Sequence, residues 1–219
     1  MNLQDALNNK KILNITILTE EIVNDFFNKN PYAKTFNIPE SVAEIGEGAF
    51  ENCKNLTEIT IPDSVTEIGD CAFENCKNLI EINIPDSVTE IGYWAFYGCK
   101  NLTQISIPDS VTKIGIGAFD GCLNLTEITI PDSVTEIDGY TFKNCKNLEK
   151  ITIPDSVTEI GDWAFDGCKN LKEIIFQNPS SLNQMKLGEN VFSGCDLENI
   201  NITFLDNEFD KDKKKKNRI

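Results

Sequence analysis

The feature that most constrains this chain is a 23-residue repeat that runs unbroken through most of the sequence. The string I-P-D-S-V-T or a close variant recurs in it, and a proline, a phenylalanine and a cysteine each return at the same step. The repeated positions are Pro39, Pro62, Pro85, Pro108, Pro131 and Pro154; Phe50, Phe73, Phe96, Phe119, Phe142 and Phe165; and Cys53, Cys76, Cys99, Cys122, Cys145 and Cys168. A short fixed period is the sequence signature of a solenoid, in which each repeat forms one coil that stacks on the next.

Within one repeat, the apolar spacing predicts a short parallel strand. Leu56, Ile59 and Ile61 have the spacing L-x-x-I-x-I, and the two-residue alternation of a strand places Ile59 and Ile61 on the same face. Pro62 ends this strand, because proline has no amide hydrogen to offer to a neighbouring strand.

The remainder of each repeat predicts a second extended piece and a tight turn. Val65 and Ile68 are spaced to point inward from a shorter extended piece, and Gly69 permits a bend in the backbone. Ala72-Phe73 predicts a helical turn or a 3-10 piece that directs Phe73 into the core. The residue before each of the seven cysteines at the repeat position is asparagine or glycine, which tolerate the left-handed backbone conformation, so we expect that conformation there. These residues are Asn52, Asn75, Gly98, Gly121, Asn144, Gly167 and Gly194.

This unit resembles that of the BspA-type leucine-rich repeat family, L-x-x-I-x-I-P-x-S-V-x-x-I-G-x-x-A-F-x-x-C, over about residues 33–204. The resemblance implies a repeat solenoid: a right-handed leucine-rich-repeat coil with a parallel β-sheet on one face and short helical or 3-10 turns on the other. It also implies a protein that binds other proteins or surfaces, often as an adhesin in bacteria and protists, and it implies no reaction. Ordinary leucine-rich repeats place asparagine or cysteine shortly after the strand, whereas this chain has serine there.

The pattern divides the chain into a cap, a solenoid and a tail. We expect residues 1–32 to form a diverged N-terminal capping coil, with a strand over Ile12–Leu18 and a helix near Glu20–Asn28. Residues 33–204 are predicted to form the solenoid. Residues 205–219 are predicted to form a basic, disordered tail, because such a run of charge cannot bury enough apolar surface to fold.

Both ends of the solenoid depart from the regular repeat. Near the N-terminus, Phe27 lies 23 residues before Phe50 and so aligns with the phenylalanine position of the repeat, which is why we expect the first coil to be a diverged cap. Near the C-terminus, the segment Gln177–Lys186 carries about four extra residues before the repeat resumes at Leu187. A last strand is predicted over residues 200–204.

Composition excludes several classes of function. The chain has 219 residues and no histidine, which removes the usual general base near neutral pH and the commonest imidazole metal ligand. Ser-His-Asp and Cys-His hydrolases are therefore excluded, and we predict no catalytic residue, no cofactor and no enzyme activity. The formal charge of −15 argues against nucleic acid as a partner, since nonspecific affinity for nucleic acid comes mainly from neutralised phosphates.

Hydropathy and charge also bear on location and partners. The sequence has no apolar run near the ~18 residues that a membrane span needs, and its start, MNLQDALNNKK, lacks the layout of a signal peptide. We therefore expect no membrane span and a cytoplasmic protein, with the cell surface as the alternative. We expect a monomer whose electrostatic partner is basic.

The repeated cysteines invite a disulfide or zinc interpretation. Neighbours in the column are predicted to lie one strand spacing apart, roughly 4.8 Å, with parallel Cβ vectors, whereas a disulfide needs converging Cβ atoms ~3.8 Å apart. Cys71 and Cys76 are the only near pair, and their spacing does not match that of a zinc site. We therefore predict buried, free thiols and no metal site.

Two polar columns also have a second interpretation. Asn55, Asn101 and Asn124 fall in N-x-T sequons, but a ladder of stacked amides explains every member of the asparagine column. The aspartates that follow the prolines, beginning with Asp63, offer oxygen ligands to calcium, but an aspartate after proline is mostly turn chemistry. We predict the amide ladder and the turn.

The outward strand positions form the face that a solenoid offers to a partner. About seven coils and a strand span of about 20 Å give an area on the order of 700 Å², close to the ~800 Å² that each partner buries in a standard interface. The predicted contact residues on this face are Glu58, Thr60, Glu81, Asn83, Gln104, Ser106, Glu127, Thr129, Lys150 and Thr152. A solvated face without a partner is the alternative.

One repeat replaces polar outward residues with aromatic ones. It contains Tyr93, Trp94 and Tyr97, and the next repeat adds Ile116. Tryptophan and tyrosine are enriched at binding hot spots, so we predict that these four residues belong to the partner-binding surface. The alternative is that the rings only pack on the neighbouring coil, since the Trp94 column is aromatic in two later repeats as well.

The function predicted from these features is non-enzymatic binding of a partner protein on the strand face of the solenoid. The alternative is a surface adhesin that binds extracellular matrix or proteins of host or partner cells, which requires secretion. The basic tail also resembles a nuclear-import or anionic-surface signal, with a solubilising terminus as its alternative.

Overall fold

A computed structural model of the protein describes residues 15–177 and 185–205. The chain winds through parallel strands, two in each repeat. The longer strands are β2 (Thr35–Asn37), β4 (Glu58–Thr60), β6 (Glu81–Asn83), β8 (Gln104–Ser106), β10 (Glu127–Thr129), β12 (Lys150–Ile153), β14 (Glu173–Phe176) and β16 (Asn201–Phe204). The shorter ones are β1 (Ile17–Leu18), β3 (Glu44–Ile45), β5 (Glu67–Ile68), β7 (Glu90–Ile91), β9 (Lys113–Ile114), β11 (Glu136–Ile137), β13 (Glu159–Ile160) and β15 (Lys186–Leu187). Helix α1 (Glu20–Lys29) follows β1, and a 3-10 helix (Leu197–Asn199) precedes β16.

The strands of successive coils pair in parallel and in register. Glu58 of β4 lies opposite Glu81 of β6, which lies opposite Gln104 of β8. Each step between partners is one 23-residue repeat, so one repeat makes one coil. The predicted solenoid is confirmed, with about 7 turns of stacked parallel strands.

The apolar columns of the repeat form one continuous core. In the coil that begins at Leu56, the side chains of Leu56, Ile59, Ile61, Val65 and Ile68 are at most 4% exposed. The residues that flank the central isoleucine of the long strand are exposed, which confirms the predicted alternation. Burying each such side chain contributes about 1.5–3 kcal/mol to stability, so the core is the main favourable term in folding.

The segment that closes each coil, termed the closing segment, runs from Gly69 to Cys76 in the coil that begins at Leu56. It carries two kinds of backbone hydrogen bond. Ala72 donates to the carbonyl of Gly69 at 3.3 Å, and Cys76 donates to that of Phe73 at 3.1 Å, which are three-residue turns within the coil. Phe73 itself donates to the carbonyl of Ala95 in the next coil at 2.7 Å. The predicted 3-10 piece is therefore a row of single turns that are also bonded to the neighbouring coil.

Two residues of each closing segment have the left-handed conformation. One is the residue before each cysteine, as predicted, with φ from 56° to 75°. The other lies four residues earlier and was not predicted, because its residue type is not constant. It is Gly48, Cys71, Trp94, Gly117, Tyr140, Trp163 or Asn190. Bulky side chains are rare in this conformation, and the hydrogen bonds on both sides hold them there.

A column of phenylalanine rings stacks along the core. It runs from Phe50 to Phe192, with ring centroids 5.0 Å apart for Phe50 and Phe73 and 5.5 Å apart for Phe96 and Phe119. The rings from Phe50 to Phe165 are fully buried. Each ring therefore contacts the coils above and below it, which couples neighbouring repeats.

The N-terminal cap contains the predicted helix, which places Phe26 deeper in the core than Phe27. Val23 and Phe26 are the buried residues of α1. The ring of Phe26 meets that of Phe36 edge to face at 4.9 Å, and Phe36 meets Phe50 at 5.3 Å. Phe27 stays at the edge of the core. Both rings lie on the side of α1 that carries Val23, since they follow it by three and four residues, and the Phe26 ring lies closer to Phe36, at 4.9 Å against 6.2 Å for the Phe27 ring.

The strand predicted over Ile12–Leu18 is also corrected. Among its described residues only β1 is a strand, and β1 pairs with the short strand β3, with Leu18 opposite Ile45. The cap therefore joins the solenoid at the short-strand position, because α1 occupies the next part of the chain and takes the place of a closing segment. Residues 12–14 lie outside the described residues.

The C-terminal end resumes the repeat as predicted. Lys186 and Leu187 pair with β13, the ring of Phe192 stacks on Phe165 at 5.4 Å, and β16 pairs with β14. Ile202 of this last strand is 54% exposed, since no described coil covers it. The tail predicted to be disordered lies almost entirely outside the described residues.

Both strand sides of the solenoid are interrupted at one coil junction, a feature that the repeat did not predict. The long strands form two sheets that part between β8 and β10, and the short strands part between β9 and β11. In the described structure the Thr126 amide donates to no backbone carbonyl, whereas the equivalent Thr103 amide donates to Ile80 at 3.1 Å. The closing segments stay joined, with Phe119 donating to Thr141 at 2.9 Å. This interruption is termed the seam.

A departure from the repeat at one position explains the seam. After the seven short strands from β3 to β15, the next residue is glycine at Gly46, Gly69, Gly92, Gly115, Gly161 and Gly188, but it is aspartate at Asp138. A Cβ added at Gly115 would lie 2.6 Å from the amide nitrogen of Tyr93 in the preceding coil, closer than backbone and Cβ can approach. Asp138 carries such a Cβ, so its coil cannot approach the preceding coil as closely. The strands part at that junction.

The phenylalanine column predicts a large cost for removing one ring. Phe96→Ala should lower the free energy of unfolding by roughly 3–5 kcal/mol, because it removes buried surface and leaves a cavity between two coils. Urea unfolding followed by circular dichroism measures this change. Phe192→Ala, at the partly buried end of the column, is the control and should cost less. A loss below ~1 kcal/mol for Phe96→Ala would contradict a core role.

Candidate partner-binding surface

The long-strand face carries the predicted contact residues. Their side chains point outward and are exposed or half-buried, as predicted from the alternation. Strand pairing arranges them in two ladders on either side of the seam: Glu58, Thr60, Glu81, Asn83, Gln104 and Ser106 on one side, and Glu127, Thr129, Lys150 and Thr152 on the other. Their role in binding stays a prediction.

Two adjoining grooves lie on this face. The larger, of about 560 Å³, lies at the seam and is lined by residues of β6, β8 and β10, among them Glu81 and Glu127. The second, of about 490 Å³, lies beside the turns that follow the strands, where Asp63 and Asp86 line it. Because carboxylates line both grooves, the local potential favours a cationic ligand.

Few cations neutralise the long-strand face. The Lys150 ammonium lies 3.1 Å from a carboxylate oxygen of Glu127, in an exposed pair worth less than about 1 kcal/mol. Across the described ranges, Glu58 and Glu81 have no ion-pair partner. The face therefore keeps a negative charge on the N-terminal side of the seam.

The short strands carry a second ladder of carboxylates. Glu44, Glu67 and Glu90 lie opposite one another in register. Partial burial, together with the neighbouring charges of Glu44 and Glu90, raises the pKa of Glu67. Lys113 follows in the same column and ends the run of like charges.

The four predicted aromatic-patch residues form a separate surface. Tyr93, Trp94, Tyr97 and Ile116 are 37–46% exposed and lie in or beside the closing segments, not on the long-strand face. Tyr93 borders the short-strand side, where the Lys113 ammonium lies 5.4 Å from the centre of its ring. The structure therefore does not bring the patch together with the long-strand ladders.

Trp94 both packs and stays accessible. It is one of the left-handed residues, with φ of 51°, and its indole covers Gly117 of the next coil so closely that a Cβ there would overlap the ring. Nearly half of the side chain is still exposed. The sequence signal for this contact was the glycine at the equivalent position of the next repeat, which leaves room for the indole.

The cysteine column is made of free thiols that bond to the backbone. The Cys99 thiol donates to the carbonyl of Phe73 at 3.1 Å, and Cys122 donates to that of Phe96 at 3.3 Å. The sulfur atoms therefore point at carbonyls of the preceding coil and not at each other. Burial raises the pKa of Cys99 to about 12, so its thiol is neutral near pH 7.

The asparagine column forms the predicted amide ladder. Asn101 donates to the side-chain oxygen of Asn78 at 3.3 Å, Asn124 donates to Asn101, and Asn147 donates to Asn124 at 3.1 Å. At the N-terminal end, Asn55 and Asn78 donate instead to the backbone carbonyls of Pro31 and Lys54, each at 2.7 Å. The predicted ladder therefore runs from Asn78 to Asn170 and does not include Asn55.

The aspartate column shows turn chemistry. The turn that contains Asp63 is closed by the Val65 amide, which donates to the carbonyl of Pro62 at 3.0 Å. Among residues 15–177 and 185–205, no group of three or more cysteine, aspartate or glutamate side chains is placed to hold a metal ion.

The stacked parallel strands and the 23-residue unit define a leucine-rich repeat solenoid. The chain belongs to the BspA-type leucine-rich repeat family: the family described as BspA type leucine rich repeat region matches residues 20–149 and 89–212, in 6 copies. Proteins of this family are bacterial surface-type repeat proteins and are generally protein-interaction modules. No curated protein matches the chain.

Several solved structures are similar to the chain. A leucine rich repeat protein of T. pallidum is 29% identical, with a TM-score of 0.70 and coverage of 86% of this chain and 85% of that chain. A leucine rich cell surface protein of Faecalibacterium prausnitzii is 29% identical, with a TM-score of 0.58 and coverage of 71% and 51%. The pneumococcal vaccine antigen PcpA, at 18% identity, a TM-score of 0.62 and coverage of 80% and 42%, shares the fold.

The helices of the described residues are all too short or too polar to cross a membrane.

The buried thiols predict a loss of stability at alkaline pH. Because burial raises the pKa of Cys99 from 9.0 to about 12, this thiol ionises between about pH 8 and about pH 10 only in the unfolded chain. The contribution of the neutral Cys99 thiol to stability is complete below the pKa of the unfolded chain and falls as pH rises toward the pKa of the folded protein. Between about pH 8 and about pH 10, the free energy of unfolding should fall by about 1.4 kcal/mol because of this thiol. Urea unfolding at several pH values measures the loss.

Cys99→Ala provides the comparison for this prediction. The variant is less stable at every pH because packing is lost. Between about pH 8 and about pH 10, however, its free energy of unfolding should fall by about 1.4 kcal/mol less than that of the wild type. Equal pH slopes in the two proteins would show that Cys99 is not a neutral buried thiol.

Proposed function

We propose that the protein is a non-enzymatic binding module whose long-strand face holds a basic partner protein. The observation that carries this proposal is the pair of polar ladders that flank two carboxylate-lined grooves on one side of the solenoid. Membership of a family of interaction modules supports a protein as the partner.

Electrostatics determine how such a face acts. With a formal charge of −15, the chain attracts a basic partner over distances up to about one Debye length, ~10 Å at moderate salt. Attraction at this range speeds the encounter more than it strengthens the final complex. Carboxylates on the long-strand face then determine where the partner docks.

Charge reversal on the long-strand face tests this proposal. Glu81→Lys combined with Glu127→Lys should slow association with the partner about tenfold at low salt, because the steering charge near the grooves is reversed. The partner is isolated by capture from an extract of the native organism, and rates are measured by surface plasmon resonance at low and high salt.

The matched control makes the same change of charge on another side of the solenoid. Glu67→Lys combined with Glu90→Lys lies in the short-strand ladder, so it should affect the association rate much less. If the two double variants slow association equally, association depends on the net charge and not on a defined face, and the long-strand assignment is wrong.

The aromatic patch gives a separate prediction about dissociation. If Trp94 and Tyr97 are anchors for the partner, Trp94→Ala and Tyr97→Ala should each speed dissociation by about 10- to 30-fold, as hot-spot residues do. Trp163→Ala is the control, because Trp163 occupies the same left-handed position and stacks on Tyr140 at 5.4 Å. Unchanged dissociation in both patch variants would leave these rings with a packing role only.

A surface adhesin is the second candidate function. It is supported by the similarity to a leucine rich cell surface protein and by the family's bacterial surface-type members. In this case the partner is a protein of the extracellular matrix or of another cell. Labelling of intact cells with a membrane-impermeant amine reagent distinguishes the two locations, since a cytoplasmic protein stays unlabelled until the cells are broken.

A further inference from the structure

The seam leaves without a backbone partner two groups that are paired at the other coil junctions. The carbonyl of Ile80 accepts the amide of Thr103 at 3.1 Å, but in the described chain the carbonyl of Thr103 accepts no backbone amide. The Thr126 amide, which would occupy that place in a regular repeat, has no backbone acceptor among the described residues. One backbone acceptor and one backbone donor therefore lack their regular partners on the long-strand side of the seam.

The short-strand side of the same junction shows the same loss. The carbonyl of Ile91 accepts the amide of Gly115 at 2.8 Å, whereas the carbonyl of Ile114 and the amide of Asp138 make no such bond within residues 15–177 and 185–205. The carbonyl of Asp138 keeps its turn bond from the Thr141 amide at 3.4 Å and also accepts the Thr141 hydroxyl at 2.7 Å. The interruption therefore affects both strand sides of the junction, while the closing segments and the side-chain hydrogen bonds from Asn124 to Asn101 and from Ser133 to the carbonyl of Val111 still cross it.

Burial follows the same boundary. Ile105 and Ile107, on the N-terminal side of the seam, are each 8% exposed, while Ile128 and Ile130 on the other side are each 1% exposed. The groove of about 560 Å³ lies over this boundary. Its walls include the carboxylate of Glu81, the amides of Asn83 and Gln104, and the hydroxyl of Ser106. Its volume is in the range of sites that hold a ligand.

We infer that the seam, held open by the Cβ of Asp138, binds an extended segment of a partner protein that carries arginine. This inference rests on the proposed function and names the chemistry of its partner. The carbonyl of Thr103 and the carboxylates of Glu81 and Glu127 are acceptors, so they match a guanidinium, which has five N–H donors and a fixed positive charge. The free Thr126 amide matches a backbone carbonyl of the same segment.

The combination of groups favours a peptide over a simple cation. A cation satisfies the acceptors but not the free amide of Thr126, whereas an extended peptide offers both backbone carbonyls and charged side chains. The remaining junctions of the long-strand face offer outward side chains but keep their backbone groups paired. The seam is therefore the place on this face where a peptide gains backbone hydrogen bonds.

Two substitutions at one position separate the seam from the charge of Asp138. Asp138→Gly removes both the charge and the Cβ and restores the glycine of the other repeats, so the junction should close. Asp138→Asn removes the charge but keeps the Cβ, so the seam should stay open. The probe is a fluorescein-labelled ten-residue peptide that alternates threonine and arginine, and the comparison peptide has glutamine in place of arginine.

Fluorescence anisotropy at low salt gives the dissociation constants. The wild-type protein should bind the arginine peptide at least tenfold more tightly than the glutamine peptide. Asp138→Asn should stay within about threefold of the wild type, and Asp138→Gly should bind the arginine peptide at least tenfold more weakly. Equal affinity of Asp138→Gly and Asp138→Asn overturns the seam as the binding site.

Hydrogen exchange reports the seam directly. In the wild type, the arginine peptide should slow exchange of the Thr126 amide and leave that of Thr103 unchanged, since only the former is free. In Asp138→Gly without peptide, the Thr126 amide should already be protected. Rapid exchange of Thr126 in Asp138→Gly would show that the Cβ of Asp138 does not hold the seam open.

The double charge reversal keeps the two proposals distinguishable. If Glu81→Lys with Glu127→Lys weakens peptide binding but Asp138→Gly does not, the acidic face binds the peptide and the seam does not. If neither change affects binding of the arginine peptide, both the seam and the acidic long-strand face are wrong as its binding site.

Discussion

The close approach of one coil to the next is the condition on which this structure depends. Successive coils share backbone hydrogen bonds on the long strands, on the short strands and in the closing segments, and such bonds need donor and acceptor about 2.7–3.2 Å apart. Glycine after the short strand allows this approach, because a Cβ at Gly92 would lie 2.5 Å from the carbonyl carbon of Gly69. The stacking of phenylalanine rings and the thiol–carbonyl bonds depend on the same spacing.

At Asp138 the close approach is lost on two sides of the coil. The closing segments remain bonded through Phe119 and Thr141, while the strands on the other two sides of the junction separate. A regular solenoid has an almost uniform surface, in which no repeat is distinguished from the next. The seam distinguishes one junction of this solenoid and places its larger groove there.

The surfaces that face solvent differ in how they bind. The long-strand face is polar and acidic, which favours rapid encounter with a basic partner. The patch around Trp94 offers aromatic area held rigidly on the next coil by Gly117, which favours slow release. Because these two surfaces lie on different sides of the coil, one small partner covers one of them, and a large or extended partner is needed to cover both.

The sequence by itself determined the coil: the in-and-out alternation around Ile59, the left-handed residue before each cysteine, the amide ladder and the stacked rings. Each of these depends on local conformation repeated many times, which a period in the sequence records. Only the tertiary structure decided that Phe26 is fully placed in the core while Phe27 is only partly buried against it, that Trp94 covers Gly117, and that the strands part before Asp138. These depend on distances between backbones of different coils, where one Cβ changes the packing and no period reveals it.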